Sequence, residues 1–279
     1  MQGQSSPGDS VANSEWLEAC RRAVERQAEL FRASETTADR NHYEGIGEGG
    51  DHTLRLDRQC EDIVLEELDR LAAGGQAFTV ISEEKGTVEF NGGGSVRVVV
   101  DPIDGSLNVR RTLPCHSLSV AVATGETMDT VEFGFVHDFG AGEEFRSVAG
   151  QGAFLNDRPL REGPGGEGIE IVGIEGAEPG AFLPYLEGMV GSVYRLRCLG
   201  SLALSVCYLG AARFDGVVTP HPCRSVDVAA AQLIAREAGA LVEMGSGEPV
   251  GFELDRRFTV VGARSQSGLD LLRACRPEA

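Results

Sequence analysis

The stretch VVVDPIDGSLNV, residues 98–109, constrains this chain most. Val98, Val99 and Val100 are β-branched, stiff at χ1 and suited to a pleated strand. No polar residue alternates with them, so the strand is expected to be buried on both faces. It runs straight into Asp101, Pro102, Ile103, Asp104, Gly105 and Ser106. Two carboxylates three residues apart on the tip of a buried strand repel each other, and burying them unpaired is expensive. A chain that keeps them there must place a cation between them. Pro102 fixes φ, and Gly105 lets backbone approach closely. A helix opening after Gly105 would offer its first N–H groups to an anion.

Further acids stand where elements end. Asp57 closes LRLD at the start of an amphipathic helix expected from about Asp57 to Ala73, which Gly74-Gly75 terminates. Glu83 and Glu84 follow the strand FTVIS, and Asp227 opens a helix in RSVDVAAA. Tips of neighbouring strands converge, so these acids are candidates for one cluster. Oxygen donors with no histidine or cysteine pattern nearby suit a hard ion, Mg2+ or Mn2+, rather than zinc. The competing reading of each acid taken alone is a helix N-cap or a solvated turn.

The rest of the chain reads as a soluble α/β protein. Residues 1–13 are polar and read as disordered; they contain no apolar signal-peptide segment, and no apolar run approaches 18 residues. A helix follows from Ser14, with Trp16, Leu17, Cys20, Val24 and Phe31 on one face. The glycine-rich segment around residues 41–57 contains Gly45, Gly47 and Gly50 in dinucleotide-fingerprint spacing. No strand precedes it, so it reads as a mobile loop. Strands AFTVI, SVRVVVD, SLSVAVA and TVEFGFVHDF lead to a hairpin turning at Asn156-Asp157. After the linker-like REGPGGEG, strands and helices alternate. This divides the chain into an α+β domain, residues 1–162, and an α/β domain, residues 163–279. Seven cysteines without a CxxC pattern read as reduced thiols of a cytoplasmic protein. The net charge of −18 does not suit nucleic acid or an anionic membrane. His116 and His137 read as structural.

SEEKG, DPIDGSLN and SVDVAAAQLIAREAGA, in that order, resemble the signature of the inositol monophosphatase family of Mg2+-dependent, lithium-sensitive phosphomonoesterases. GAFLNDRPL and LGSLALSVCYLGAARFDG extend the resemblance, which runs from about Asp51 to Gly239. GGDHT and RSVDVAA are more similar to the archaeal-type branch, which acts on inositol phosphates and fructose 1,6-bisphosphate. One departure is Val226, where the family usually has tryptophan before the aspartate.

The resemblance implies a layered αβαβα sandwich, a homodimer and two or three Mg2+ ions per site. Glu83, Asp101 and the carbonyl of Ile103 resemble the ligands of a first ion. Asp101, Asp104 and Asp227 resemble those of a second, and Asp51 is a candidate for a third. Ser106 and Asp57 resemble the pair that polarises the attacking water, with Glu84 assisting. Asp104, Gly105, Ser106, Gly200, Ser201 and Leu202 are the implied substrate contacts, with Arg224 or Thr219 meeting the sugar, the cyclitol or a second phosphate. Two other functions compete: a 3′(2′),5′-bisphosphate nucleotidase, and a non-catalytic family member that binds RNA or protein.

Overall fold

The computed structural model describes residues 7–46, 52–160, 168–176 and 178–276. In the first half, helices α1 (Pro7–Ala33) and α2 (Thr37–Arg40) precede strands β1 (Tyr43–Ile46) and β2 (His52–Leu54) and helix α3 (Arg55–Ala73). Strands β3 (Phe78–Ser82), β4 (Gly86–Phe90) and β5 (Arg97–Asp104) follow, then a short helix α4 (Ser106–Arg110). Strands β6 (Ser117–Ala123), β7 (Val131–Asp138), β8 (Glu143–Val148), β9 (Ala153–Leu155) and β10 (Arg158–Pro159) complete an eight-stranded sheet ordered β10-β9-β8-β7-β6-β5-β3-β4.

The second half alternates strand and helix: β11 (Ile169–Ile174), α5 (Pro179–Met189), β12 (Val193–Arg197), α6 (Leu202–Gly210), β13 (Gly216–Val218) and α7 (Ala229–Glu237). It ends with β14 (Leu241–Met244), β15 (Val260–Ala263) and α8 (Gln266–Ala274). Its sheet is mixed, ordered β12-β11-β13-β15-β14, with β11 parallel to β12 and β13, and β15 antiparallel to β13 and β14.

The layers follow from pleat alternation. Val98 and Val100 of β5 and Leu118, Val120 and Val122 of β6 pack with Trp16 and Cys20 of α1 and Val64 and Leu68 of α3. Val99 and Ala121, pointing the other way, pack with α6 and α7, which lie between the two sheets. The outer face of the second sheet is covered by α5 and α8 through Tyr185, Met189, Leu269 and Leu272. The order is αβαβα, as expected. Gly134 of β7 permits the middle contact, since a Cβ there would lie 2.8 Å from the Ala230 carbonyl oxygen of α7.

Several local expectations are corrected. Helix α1 starts at Pro7, so residues 7–13 are helical rather than disordered; proline is well suited to a first helical position. The glycine-rich segment carries β1 and β2, paired antiparallel. Residues 47–51, including Asp51, and the boundary drawn at residue 162 lie outside the described residues. Strand β4 was not foreseen: it closes a tight hairpin with β3, Ser82 opposite Gly86, and only Gly86 in it is fully buried. The Asn156-Asp157 turn is as read, with φ of 48° and 62°.

Candidate active site

Strands β3 and β5 run parallel with Ser82 level with Val100, so the next residues, Glu83 and Asp101, stand side by side at the strand tips. Beyond Asp101 the register against β6 shifts: Asp101 pairs with Ser119 and Asp104 with Ser117. Three steps on β5 therefore oppose two on β6. A regular pleat would send residues three apart to opposite faces, and this bulge returns both carboxylates to one face. The Ile103 N–H donates to Asp101 Oδ1 at 3.0 Å, and the Ile103 side chain packs with Phe31, Leu56, Cys60 and Val109. The buried Gln27 of α1 donates to the Pro102 carbonyl at 3.3 Å and ties the first layer to the bulge.

Asp227 arrives from the second half, in the turn before α7. The N-cap is Val228, so Asp227 is not the helix cap that its sequence context allowed. One carboxylate oxygen each from Glu83, Asp101 and Asp227 lies within 4.8 Å of the others. Burial is the main cause that holds the Glu83 carboxyl up at about 8, with Asp227 adding to it and Arg224 opposing it. Burial, then Glu83, Asp104 and Asp227, push Asp101 well above the carboxylate range. Burial also holds Asp104 at about 7, against its hydrogen bond from Ser201. One buried acid, Asp101, and two half-buried ones, Glu83 and Asp227, all oxygen donors, fit a hard divalent cation.

These acids open into a cleft of about 440 Å3 whose walls include Ile103, Asp104, Gly105, Ser106, Leu107, Gly200, Leu202, Thr219, His221 and Arg224. Asp104 is not one of the three close acids. Its Oδ2 accepts the Ser201 hydroxyl at 2.5 Å and the Ala203 N–H at 2.7 Å. Gly105, at φ 91°, has no room for a side chain: a Cβ would lie 2.8 Å from the Cys115 carbonyl oxygen. Across from it, Gly200 at φ 75° makes way for Asn108, whose Nδ2 donates to the carbonyls of Cys115 at 2.6 Å and Leu199 at 2.7 Å.

Asp57 and Glu84 do not line this cleft. Asp57 is buried at the third position of α3, and Glu84 is half-buried in the β3–β4 turn. A larger cleft of about 790 Å3, walled by Thr79, Glu89, Arg97 and Arg257 among others, contains none of the acids of the cluster. His116 and His137 pack on Phe139, which agrees with a structural role; burial lowers the His116 imidazole to about 4.

Three site-shaping residues were missed from the sequence. Glu175 accepts the N–H groups of Leu199 at 2.9 Å and Gly200 at 2.8 Å and the Ser205 hydroxyl at 2.6 Å, which sets the 199–200 loop. Glu61, fully buried, accepts the Ser82 hydroxyl and the Lys85 N–H and so holds the turn that carries Glu83. The third is Asn108. The available signals were a carboxylate on the apolar stripe of α3, another at the end of β11, and the asparagine that closes the opening motif.

Fold and acid cluster together define a layered α/β protein with a carboxylate-lined cleft suited to a divalent cation. The description "Inositol monophosphatase family" matches residues 12–274, and the chain belongs to that family. It is 32% identical over 216 residues to a fructose-1,6-bisphosphatase/inositol-1-monophosphatase of Methanothermobacter thermautotrophicus, covering 74% of this chain and 76% of the relative. To an inositol-1-monophosphatase of Mesorhizobium japonicum it is 31% identical over 220 residues, covering 76% and 79%. A crystal structure of an inositol monophosphatase-fructose 1,6-bisphosphatase superposes with a TM-score of 0.79 at 26% identity, over 93% of this chain and 99% of that one. Among the described residues, no helix is long and apolar enough to cross a membrane.

Proposed function

We propose that the protein releases inorganic phosphate from an inositol phosphate or a small sugar phosphate such as fructose 1,6-bisphosphate, using Mg2+. The observation that carries this reading is the meeting of Glu83, Asp101 and Asp227 in a cleft that Asp104, Gly105, Ser106, Gly200 and Leu202 also line. Glu83, Asp101 and the Ile103 carbonyl would hold one ion, and Asp101, Asp104 and Asp227 would hold a second; Asp51, outside the described residues, is the candidate for a third. Bound divalent ions supply Lewis acidity and a more acidic water. Ser106, in the cleft wall, orients the attacking water, and Asp57 and Glu84, which stand outside that wall, assist it. The Gly105 and Ser106 N–H groups face the phosphate, while Gly200, Leu202, Thr219 and Arg224 face the alcohol; Ser201, buried and bonded to Asp104, acts on the substrate only by holding the loop.

The family supports a homodimer, the cysteines support a cytoplasmic setting, and the net charge of −18 speaks against nucleic acid as a partner.

Phosphate release with and without Mg2+, on inositol 1-phosphate, fructose 1,6-bisphosphate and 3′-phosphoadenosine 5′-phosphate, tests the reading. Mg2+-dependent release from either of the first two supports it. Preference for the nucleotide would make the protein a nucleotidase, and no release from any would leave a binding protein.

A further inference from the structure

Arg224 stands among the acids. Its Nη2 lies 2.6 Å from Glu83 Oε1 and its Nε 3.5 Å from Asp227 Oδ1, with only 14% of the side chain exposed. Its backbone N–H also donates to Asp227 Oδ2 at 2.8 Å. Glu83 and Asp227 are two of the three acids whose oxygens converge within 4.8 Å. Arg224 therefore places a positive charge directly against two of the clustered acids.

We propose that Arg224 is the internal counter-cation of the metal centre, competing with divalent ions for Glu83 and Asp227. The inference rests on the metal-centre reading above. A guanidinium and a divalent cation pressed onto the same two carboxylates repel each other at close range and low effective dielectric. The divalent ion carries twice the charge and approaches oxygen more closely, so it displaces the guanidinium. The root of the residue is fixed by its N–H bond to Asp227 and by the neighbouring pairing of Cys223 with Phe258, so the side chain moves while the loop stays. Arg224 also walls the cleft, so the displaced guanidinium remains there, a planar donor suited to an anionic group. Without metal, Arg224 keeps the acids together at the expense of metal affinity.

Binding of Mn2+ to metal-free protein, followed by the paramagnetic signal of the free ion, tests this in wild type, Arg224→Gln, Arg224→Lys and Asp101→Asn. Arg224→Gln should bind Mn2+ tighter by about 5- to 150-fold, the usual span of coupling between sites. Arg224→Lys, whose ammonium cannot fork across two carboxylates, should fall between. In chelator, Arg224→Gln should melt below wild type and gain more from added Mn2+. Unchanged or weaker Mn2+ binding in both Arg224 variants would overturn the proposal, since the arginine would then support the ligands beside the ion. If Arg224→Gln does not fold, Arg224→Lys alone decides, tighter binding supporting the proposal and equal or weaker binding overturning it. Mn2+ binding in wild type that is lost in Asp101→Asn keeps the metal centre standing whatever Arg224 does. No binding in wild type sinks both.

Discussion

Asp104 Oδ2 accepts the Ser201 hydroxyl at 2.5 Å and the Ala203 N–H at 2.7 Å, so an acid on the first sheet caps a helix of the middle layer. Ser201 is itself the N-cap of α6, accepting the Leu204 N–H at 3.3 Å. One bond network thus joins the Asp101–Asp104 tip of β5 to the Gly200–Leu202 loop.

Substitution of Asp104 separates these roles. Asp104→Asn keeps an acceptor for Ala203 and should fold with little loss. Asp104→Ala should cost about 0.5–2 kcal/mol, as removal of a helix cap does. Both should shift the Mg2+ dependence of phosphate release to higher concentration. An Asp104→Asn enzyme with the wild-type Mg2+ profile would restrict Asp104 to capping.

Asp101 has the strongest claim on the metals. It lies between Glu83, Asp104 and Asp227, is 2% exposed, and is held above the carboxylate range by burial first and by those three acids after it. Asp101→Asn should abolish phosphate release and still raise the melting temperature in chelator, because one repelling charge is gone. Ordinary turnover in this variant at ordinary Mg2+ would remove Asp101 from the centre.

The acid cluster also makes stability depend on pH and metal together. Burial places Glu83 at about 8 and Asp104 at about 7, both above ordinary carboxylates. A raised folded-state value means that the fold binds protons which the unfolded chain has already released. This contribution is full below the ordinary carboxylate range and is lost as pH rises through about 7 and 8. On the proposed metal-centre reading, bound divalent ions would replace those protons. In chelator the melting temperature should therefore fall between pH 5.5 and 8.5 through this contribution, and added Mg2+ should raise it more at pH 8.5 than at pH 5.5. The measurement is a melting series at both pH values in wild type and Asp101→Asn, and an equal Mg2+ effect at the two values would contradict it.

Much of this was legible in the sequence because the signals were local. The valine run, the D-P-I-D-G-S tip and the alternation of strand and helix after residue 168 each depend on neighbours in the chain. The bulge between Asp101 and Asp104 was not legible, because it is defined by register against β6. Strand β4 escaped because, Gly86 apart, its residues are at most half-buried, so periodicity showed little. Glu61 and Glu175 work through backbone N–H groups of distant segments, and no spacing announces such partners. Arg224 was read as a substrate contact. Its pairing with Glu83 joins the β3–β4 turn to the loop before α7, across 141 positions of sequence, and only the folded chain brings them together.

The last prediction separates activation of water from metal binding. Asp57 is buried at the third position of α3, in the first helical turn, and Ser106 lines the cleft. If the two orient the attacking water, Ser106→Ala and Asp57→Asn should each lower kcat by roughly two to four decades, the usual range for general-base help. Mn2+ affinity should change far less than in Asp101→Asn. The double variant should lose little more than either single one, since the residues act as a unit. The competing account is that Asp57 only interacts with the helix N-terminus. A carboxylate in the first turn contributes about 0.3–1 kcal/mol there, and its loss would lower the melting temperature while sparing kcat. Turnover and melting temperature measured together on Asp57→Asn decide between them. Normal turnover with a lowered melting temperature would confine Asp57 to the helix and leave Ser106 to act without it.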